Sequence, residues 1–229
     1  MLTVDQLEDK LIDLAFSEDI GDGDHTTLCC IPEDAMGKSH LLIKEEGILA
    51  GVEVAKRVFN RFDPTMQVEV LMGDGSHVKV GDIAMIVTGK IRSLLQTERL
   101  MLNIMQRMSG IATQTNRYVK LLEGTHTRVL DTRKTTPGLR MLEKQAVKIG
   151  GGTNHRIGLF DMILLKDNHV DFAGGIANAI NRCHDYLREK GLDLKIEIEV
   201  RNFDELQQDL DCGGVNRIML DNFSVEDTK

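Results

Sequence analysis

Charged side chains follow four apolar, strand-like runs in the second half of the chain. They are Arg133 with Lys134, then Lys166, Glu199 and Asp221. In parallel α/β folds, ligands bind at the carboxyl ends of the strands. Charged residues at the ends of four successive predicted strands indicate the opening of a binding site rather than an ordinary solvent-exposed surface.

One of these runs, KIEIEV at 195–200, alternates strictly between charged and apolar residues. Such alternation puts the isoleucines on one face of a strand and Glu197 and Glu199 on the other. A solvated edge strand would show the same alternation. The charges at the other strand ends favour the binding-site interpretation.

Basic residues are concentrated between Arg133 and Lys166. This segment holds seven Lys or Arg against two acids, a net +5 in a chain of net −8. A solvated helix face accounts for Lys144 and Lys148, but not for the cations at strand ends or for His155-Arg156 in a loop. Arginine forks and lysine point charges on an acidic protein suit a small polyanion, such as a polycarboxylate or a phosphate.

Three successive glycines at 150–152 lead into His155-Arg156. They follow a predicted helix and precede a predicted strand, the reverse of the order in nucleotide-binding glycine loops. They allow either a close approach of backbone to a ligand or a plain helix end at Gly150. Both interpretations stay open.

Glu199 and Asp221 are two carboxylates at the ends of predicted strands. They suit a general acid/base pair, oxygen ligands for Mg²⁺, or ion-pair partners for the cations. Mg²⁺ bound partly through a substrate's phosphates needs only one or two protein carboxylates. No His/Cys set with zinc spacing and no Gly-x-Ser-x-Gly elbow accompanies them.

The elements that must position these residues change character near residue 110. Before it, an amphipathic helix at Val4–Phe16 precedes short strands, and 93–121 predicts one or two helices broken near Ser109-Gly110. After it, strands alternate with helices, which predicts parallel βαβ units. The predicted strands are Thr127–Asp131, Met162–Leu165, Leu194–Val200 and Val215–Leu220, and the predicted helices are Leu139–Ile149, Ile176–Glu189 and Phe203–Leu210.

Composition excludes several classes of protein. The 229 residues are 41% hydrophobic and 28% charged, as in a globular chain of one or two domains. A net charge of −8 and the lack of Trp argue against a nucleic-acid binder. No run approaches the roughly 18 apolar residues of a membrane span, and the acidic N-terminus is unlike a signal peptide. We expect buried thiols in a reducing cytoplasm for the four cysteines, Cys29, Cys30, Cys183 and Cys212.

Several ordered blocks of this sequence resemble the quinolinate phosphoribosyltransferase family, the carboxylating nicotinate-nucleotide pyrophosphorylases. In the second half they are DTRKTTPG at 131–138, EKQAVK at 143–148, GGTNHR at 151–156, DMILLKDNH at 161–169, IEV at 198–200 and MLDN at 219–222. Upstream they are EDIG at 18–21, GILAG at 47–51, ERLMLN at 98–103 and SGIA at 109–112. The blocks follow the family's order and span nearly the whole chain.

The resemblance implies an α/β fold, with an N-terminal α/β sandwich domain at 1–110 and an open, incomplete α/β barrel at 111–229. It implies transfer of phosphoribosyl from phosphoribosyl pyrophosphate to quinolinate, with Mg²⁺ as cofactor. Pyrophosphate and CO₂ would leave, and nicotinate mononucleotide would form for NAD synthesis. It also implies a homodimer, or a higher homo-oligomer, in which Arg99 reaches into the neighbouring subunit's site.

The resemblance further assigns roles by position. The residues that would hold the two quinolinate carboxylates are Arg133, His155, Arg156 and Lys166. The residues that match those binding the ribose of phosphoribosyl pyrophosphate and its metal, and that we predict to be catalytic, are Lys134, Glu199 and Asp221, with Thr132 donating beside them.

Family members continue after the Leu-Asp-Asn block into a Ser-Gly-Gly phosphate-binding turn and a closing C-terminal portion, which we expect this chain to lack. Two alternatives to the transferase therefore stay open. One is a related protein that acts on another carboxylate. The other is a chain that binds quinolinate without catalysing the transfer.

Overall fold

The computed structural model describes residues 3–229, which form two compact units. One unit runs up to His155 and the other covers Arg156–Lys229. Both contain helices and small sheets, which confirms the predicted α/β class. The family-domain boundary predicted near residue 110 stays a prediction.

Between residues 3 and 155, the first unit contains five helices and five strands. Its helices are α1 (Val4–Ile20), α2 (His25–Cys30), α3 (Val52–Phe62), α4 (Ile91–Leu121) and α5 (Arg140–Ile149). Its strands are β1 (Met36–Leu42), β2 (Gly47–Ile48), β3 (Gln67–Val70), β4 (His77–Val78) and β5 (Ile83–Lys90). β5 lies between β1 and β3 in an antiparallel sheet, and β2 pairs with β4.

The core of this unit forms where α3 and β5 pack with α4. Buried apolar residues recur along α4 at helical spacing, at Met101, Ile104, Met105, Met108 and Ala112. An apolar stripe of this period is what drives a helix onto a core. Most of the stability of α4 therefore comes from packing rather than from its own helix propensity.

The predicted break in α4 near Ser109-Gly110 was wrong. The helix runs unbroken from Ile91 to Leu121 because Met108 and Ala112, on either side of the proposed break, are both buried. Burial of that stripe outweighs the roughly 1 kcal/mol that a helical glycine costs. Ser109 also anchors the helix, since its Oγ donates to the Ala50 carbonyl (3.2 Å) and accepts from the Ala50 N–H (2.9 Å).

The second unit alternates strands and helices. Its strands are β6 (Ile163–Leu165), β7 (Ile196–Val200) and β8 (Arg217–Leu220), and its helices are α6 (Asp167–Ala173), α7 (Ile176–Lys190) and α8 (Phe203–Cys212). The strands are parallel in the order β6-β7-β8, as βαβ connections require. Ile196, Ile198 and Val200 of β7 are buried with apolar residues of α6 and α7.

The predicted strand at Thr127–Asp131 was wrong. Only Leu130 forms a bridge there, a parallel one with Thr153, so three of the four expected strands are present in residues 3–229. Two backbone bonds flank it, from Thr153 N–H to Val129 O (2.8 Å) and from Asp131 N–H to Thr153 O (3.2 Å). The segment therefore pairs with the short stretch that precedes His155 instead of extending a sheet.

The cysteines are more accessible than predicted. Cys29, Cys30 and Cys212 are exposed, Cys183 is half-buried, and all four are free thiols. The expectation of buried thiols was wrong because α2 and the end of α8 lie at the surface. No helix within residues 3–229 is both long enough and apolar enough to cross a membrane.

Candidate active site

The nine residues predicted for the site are divided between the two units. The first unit carries Arg99, Thr132, Arg133, Lys134 and His155. The second unit carries Arg156, Lys166, Glu199 and Asp221.

Lys166 and Glu199 meet at the carboxyl ends of neighbouring strands. Leu165 of β6 pairs with Ile198 of β7, so the next residues along the two chains lie side by side. The Lys166 ammonium donates to both Glu199 oxygens, at 3.0 Å to Oε1 and 2.9 Å to Oε2. The Glu199 side chain is 16% exposed and that of Lys166 46%, so the pair lies at the rim of the sheet.

The same face of the sheet continues onto β8. Glu197 is buried and accepts from the Arg217 guanidinium at 3.1 Å. Asp221 follows β8 and is tied to β7 through its N–H, which donates to the Val200 carbonyl (3.0 Å). β7 is the central strand, so its alternation is not that of a solvated edge.

The Leu-Asp-Asn block runs from the last residue of β8 into a bend of the backbone at Asn222. Asn222 has a φ of 58°, in the left-handed region that asparagine tolerates better than most residues. Its Nδ2 donates to Asp221 Oδ2 at 3.0 Å. The Asp221 carboxylate therefore lies just beyond the strand end, bonded to Asn222 and exposed.

Thr132, Arg133 and Lys134 form a structured loop in the first unit. The Lys134 N–H donates to Thr132 Oγ1 (3.0 Å), a hydroxyl-stabilised turn. The Arg140 guanidinium supports the loop, donating to Thr135 Oγ1 (3.1 Å) and to the Arg133 carbonyl (3.4 Å). Among the described residues, the buried Arg133 Nε has no hydrogen-bond partner. A buried donor of this kind is satisfied when a carboxylate or phosphate binds.

The far end of this loop is held by Glu143 of α5. Its Oε1 accepts from Arg107 Nε (2.9 Å), and its Oε2 accepts from the Thr136 N–H (3.2 Å). Burial acts to raise the pKa of Glu143, but the hydrogen bonds from Arg107 and Thr136 outweigh it and the pKa is lowered. Glu143 is therefore a carboxylate that fixes the loop rather than a proton carrier.

Lys144 lies in the interior, contrary to its interpretation as a solvated residue. It is 1% exposed, and its ammonium donates to Asp131 Oδ1 and to the His155 carbonyl (3.2 Å). The Asp131 carboxylate in turn accepts from the His155 N–H (2.9 Å). Asn154 completes the cluster by donating to Asp131 Oδ2 (2.8 Å) and to the Lys144 carbonyl (2.9 Å).

This cluster connects two of the predicted binding segments. Asp131 directly precedes Thr132, and the backbone of His155 is held from both its N–H and its C=O. A buried charge is tolerated where it is paired and hydrogen-bonded. Sequence reasoning missed Lys144 because a basic residue on an amphipathic helix gives no signal of which neighbour it meets.

The glycine run at 150–152 serves helix packing. A Cβ on Gly150 would lie 2.4 Å from the Ala112 carbonyl of α4, and one on Gly152 would lie 2.9 Å from Thr115 Cγ2. Gly150 also ends α5, donating to the Ala146 carbonyl (3.0 Å). The helix-end interpretation is confirmed, and the close approach is to α4.

Arg156 is buried and donates from Nη1 to the Met162 carbonyl (3.2 Å). The loop that follows it closes on Asp161, whose carboxylate accepts from the Ile157 N–H (2.8 Å) and the Gly158 N–H (2.9 Å). Arg99, by contrast, is exposed on α4. Its predicted role in a neighbouring subunit stays a prediction.

Glu199 and Asp221 are the carboxylates predicted to lie near Mg²⁺. No group of three or more His, Cys, Asp or Glu that could hold a metal exists within residues 3–229. Both oxygens of Glu199 are engaged by Lys166, whereas Asp221 accepts one bond, from Asn222. Asp221 is therefore the carboxylate that suits a Mg²⁺ whose remaining ligands are water and substrate phosphates.

The structure is that of an α/β protein with a lysine–glutamate pair at the carboxyl ends of two parallel strands. The family models described as the N-terminal and C-terminal domains of quinolinate phosphoribosyl transferase match residues 24–109 and 111–229. The chain therefore belongs to the quinolinate phosphoribosyl transferase family.

Named relatives agree with this assignment. The chain is 44% identical over 223 residues to a nicotinate-nucleotide pyrophosphorylase (carboxylating), chloroplastic, of Arabidopsis thaliana, covering 94% of this chain and 63% of that one. It is 41% identical over 210 residues to a probable nicotinate-nucleotide pyrophosphorylase (carboxylating) of Synechocystis, covering 92% and 70%. The chain thus spans less than two thirds of the plant relative.

Solved structures share the fold. NadC from Streptococcus pyogenes aligns with a TM-score of 0.90 at 39% identity, covering 99% of this chain and 78% of that one. The nicotinate-nucleotide pyrophosphorylase from Francisella tularensis also aligns at 0.90, with 40% identity and coverage of 99% and 78%.

Proposed function

We propose that this chain takes part in transferring phosphoribosyl from phosphoribosyl pyrophosphate to quinolinate, with decarboxylation to nicotinate mononucleotide, in de novo NAD synthesis. The observation that carries the proposal is the Lys166–Glu199 pair, a cation and a carboxylate at adjacent ends of parallel strands. The family's models, matched along both units, supply the substrate class.

Quinolinate is a dicarboxylate, and the proposed partners for its carboxylates are Arg133, His155, Arg156 and Lys166. Arg133 supports this role because its Nε is buried without a partner among the described residues. Lys166 supports it because its side chain is nearly half exposed at a strand end. Arginine forks hold planar carboxylates with two parallel hydrogen bonds, which also fixes the orientation of the ring.

Lys134, Glu199 and Asp221, with Thr132 beside them, are the proposed partners of phosphoribosyl pyrophosphate. As the pyridine nitrogen attacks ribose C1 and the bond to pyrophosphate breaks, positive charge develops on the ribose. Carboxylates held in place by Lys166 and Asn222 stabilise that charge without reorganising. Orientation of the two substrates supplies the rest of the rate. The 2-carboxylate of quinolinate then leaves as CO₂.

Mg²⁺, when bound, neutralises the pyrophosphate charge. Asp221 is the proposed protein ligand, with Glu199 close to it on the neighbouring strand. We also propose a cytoplasmic homodimer in which exposed Arg99 enters the neighbouring site. Four free thiols are what a reducing compartment maintains.

Two measurements on the purified chain test the proposal. Isothermal calorimetry with quinolinate and with its mono- and dicarboxylate analogues should show preference for quinolinate. Incubation with quinolinate, phosphoribosyl pyrophosphate and Mg²⁺ should release nicotinate mononucleotide. Binding of quinolinate without product would restrict this chain to substrate binding, and preference for another carboxylate would overturn the proposed substrate.

A further inference from the structure

Cys29 and Cys30 form a pair of exposed thiols whose sulfurs lie side by side. The two Sγ atoms are 3.4 Å apart and share a hydrogen bond. Cys29 Sγ also donates to the Thr26 carbonyl at 3.3 Å. Neither the proposed catalysis nor the core of the first unit uses this pair.

A disulfide between them is disfavoured by chain geometry. Adjacent Cα atoms across a trans peptide are about 3.8 Å apart, whereas a disulfide usually needs about 4.4–6.8 Å. The sulfurs would also have to close from 3.4 Å to about 2.05 Å while both residues sit in α2. The pair is therefore held as two thiols.

A metal that needs four ligands is also disfavoured. Within residues 3–229, no cluster of three or more His, Cys, Asp or Glu could complete such a sphere. A ligand for this site must therefore bind through the two sulfur atoms alone. A soft, thiol-seeking atom that forms two bonds to sulfur meets that requirement.

We propose that Cys29 and Cys30 form a dithiol binding site for monosubstituted trivalent arsenicals. Each S–H bond breaks, two As–S bonds form, and the two protons leave with the arsenic-bound oxygen as water. Arsenic stays trivalent and sulfur is not oxidised, so no oxidant or reductant is needed. One arsenic atom spans two sulfurs at the observed separation without unwinding the helix.

Hydrogen bonds at both ends of α2 fix the helix that carries the two thiols. Asp24 caps α2 by accepting from the Thr27 N–H (3.1 Å). The Arg92 guanidinium of α4 fixes the other end, donating to the Ile31 carbonyl (2.8 Å) and the Leu28 carbonyl (3.3 Å). The hydrogen bond with Cys29 raises the pKa of the Cys30 thiol.

Phenylarsine oxide under native conditions is the test, with intact-mass spectrometry as the readout. The wild-type chain should retain one phenylarsenic group in excess 2-mercaptoethanol and release it to 2,3-dimercaptopropanol. C29S and C30S should each lose the monothiol-resistant adduct, because a single sulfur forms only an exchangeable bond. Circular dichroism confirms that the variants are folded.

C183S and C212S are the matched controls, since each removes one thiol elsewhere, and both should retain the resistant adduct. The proposal is overturned if the wild-type adduct is removed by the monothiol. It is equally overturned if C29S or C30S retains a resistant adduct, or if C212S loses it.

Discussion

The ammonium of Lys144 and the carboxylate of Asp131 form an ion pair in the interior of the first unit. Their side chains are 2% and 8% exposed. Lys144 also donates to the His155 carbonyl, and Asp131 also accepts from the His155 N–H and from Asn154, so the charges lie inside a hydrogen-bond network. Such a network fixes geometry strongly and is costly to break.

Lys144→Met should therefore destabilise the chain by about 3–5 kcal/mol, because Asp131 is left as a buried charge without its partner. Urea denaturation followed by circular dichroism measures the loss. Lys148→Met on the same helix is the control, since Lys148 is exposed and should change stability by less than about 0.5 kcal/mol. Equal effects of the two changes would refute a structural role for the pair.

Two glycine substitutions should act in opposite directions. Gly150→Ala places a Cβ 2.4 Å from a backbone oxygen of α4 and should cost about 1–3 kcal/mol. Gly110→Ala adds a methyl group to an exposed helical position where no atom outside the adjacent backbone of α4 lies within 4 Å. It should stabilise the chain by about 0.5–1 kcal/mol. Thermal unfolding of both variants checks the signs, and a destabilising Gly110→Ala would contradict the unbroken α4.

Because of Asp209, the free energy of unfolding should fall as pH rises. Burial raises the pKa of Asp209, so the folded chain binds this proton more tightly than the unfolded chain does. The native state is therefore favoured below the unfolded pKa of 3.8, and that advantage is lost as pH rises through the folded value. The Asp209 side chain is buried, and its Oδ1 has no hydrogen-bond partner among residues 3–229.

Asp209→Asn should accordingly stabilise the chain at pH 7 by about 1 kcal/mol, with the gain shrinking towards pH 3. Urea titrations at several pH values measure it. Asp211→Asn, an exposed residue on the same helix, provides the control and should shift stability by less than about 0.5 kcal/mol. A pH-independent gain would show that the charge is not its cause.

Arg133→Ala should weaken quinolinate binding by about 2–5 kcal/mol, the cost of removing one partner of a buried charged contact. Calorimetry measures the change. Arg128→Ala removes an exposed arginine from the same segment and should leave affinity unchanged. Wild-type affinity in Arg133→Ala would remove Arg133 from the site.

Glu199→Gln should separate binding from turnover. It removes a negative charge beside Lys166, so quinolinate binding should not weaken. The ribose cation, however, loses a stabilising carboxylate, and turnover should fall by at least about 100-fold. Initial rates at saturating quinolinate, together with calorimetry, give the two quantities. A loss of quinolinate affinity with unchanged turnover would reverse the proposed role.

Strand-end charges could be predicted from the sequence because a strand's period of two assigns each side chain to a face. Glu197 and Glu199 in β7 follow that rule. The burial of Lys144 could not be predicted from the sequence. It depends on an ion pair with Asp131, which lies thirteen residues earlier in the chain. Gly110 led to the wrong prediction of a helix break. The low helix propensity of glycine contributes less free energy than the burial of Met108 and Ala112 on either side of it. The motif resemblance supplied what periodicity could not, the chemical nature of the anion.

The continuity of α4 has a practical consequence for dissecting this protein. At about 1.5 Å per residue, its 31 residues make a rod of about 46 Å. A protease cut or gene fusion at Gly110, where the family models change from one domain to the next, would divide that rod between two buried residues. The half-helices would expose apolar stripes and invite aggregation. A cut or a fusion point is better placed in the exposed turn around Gly124, which follows the end of α4.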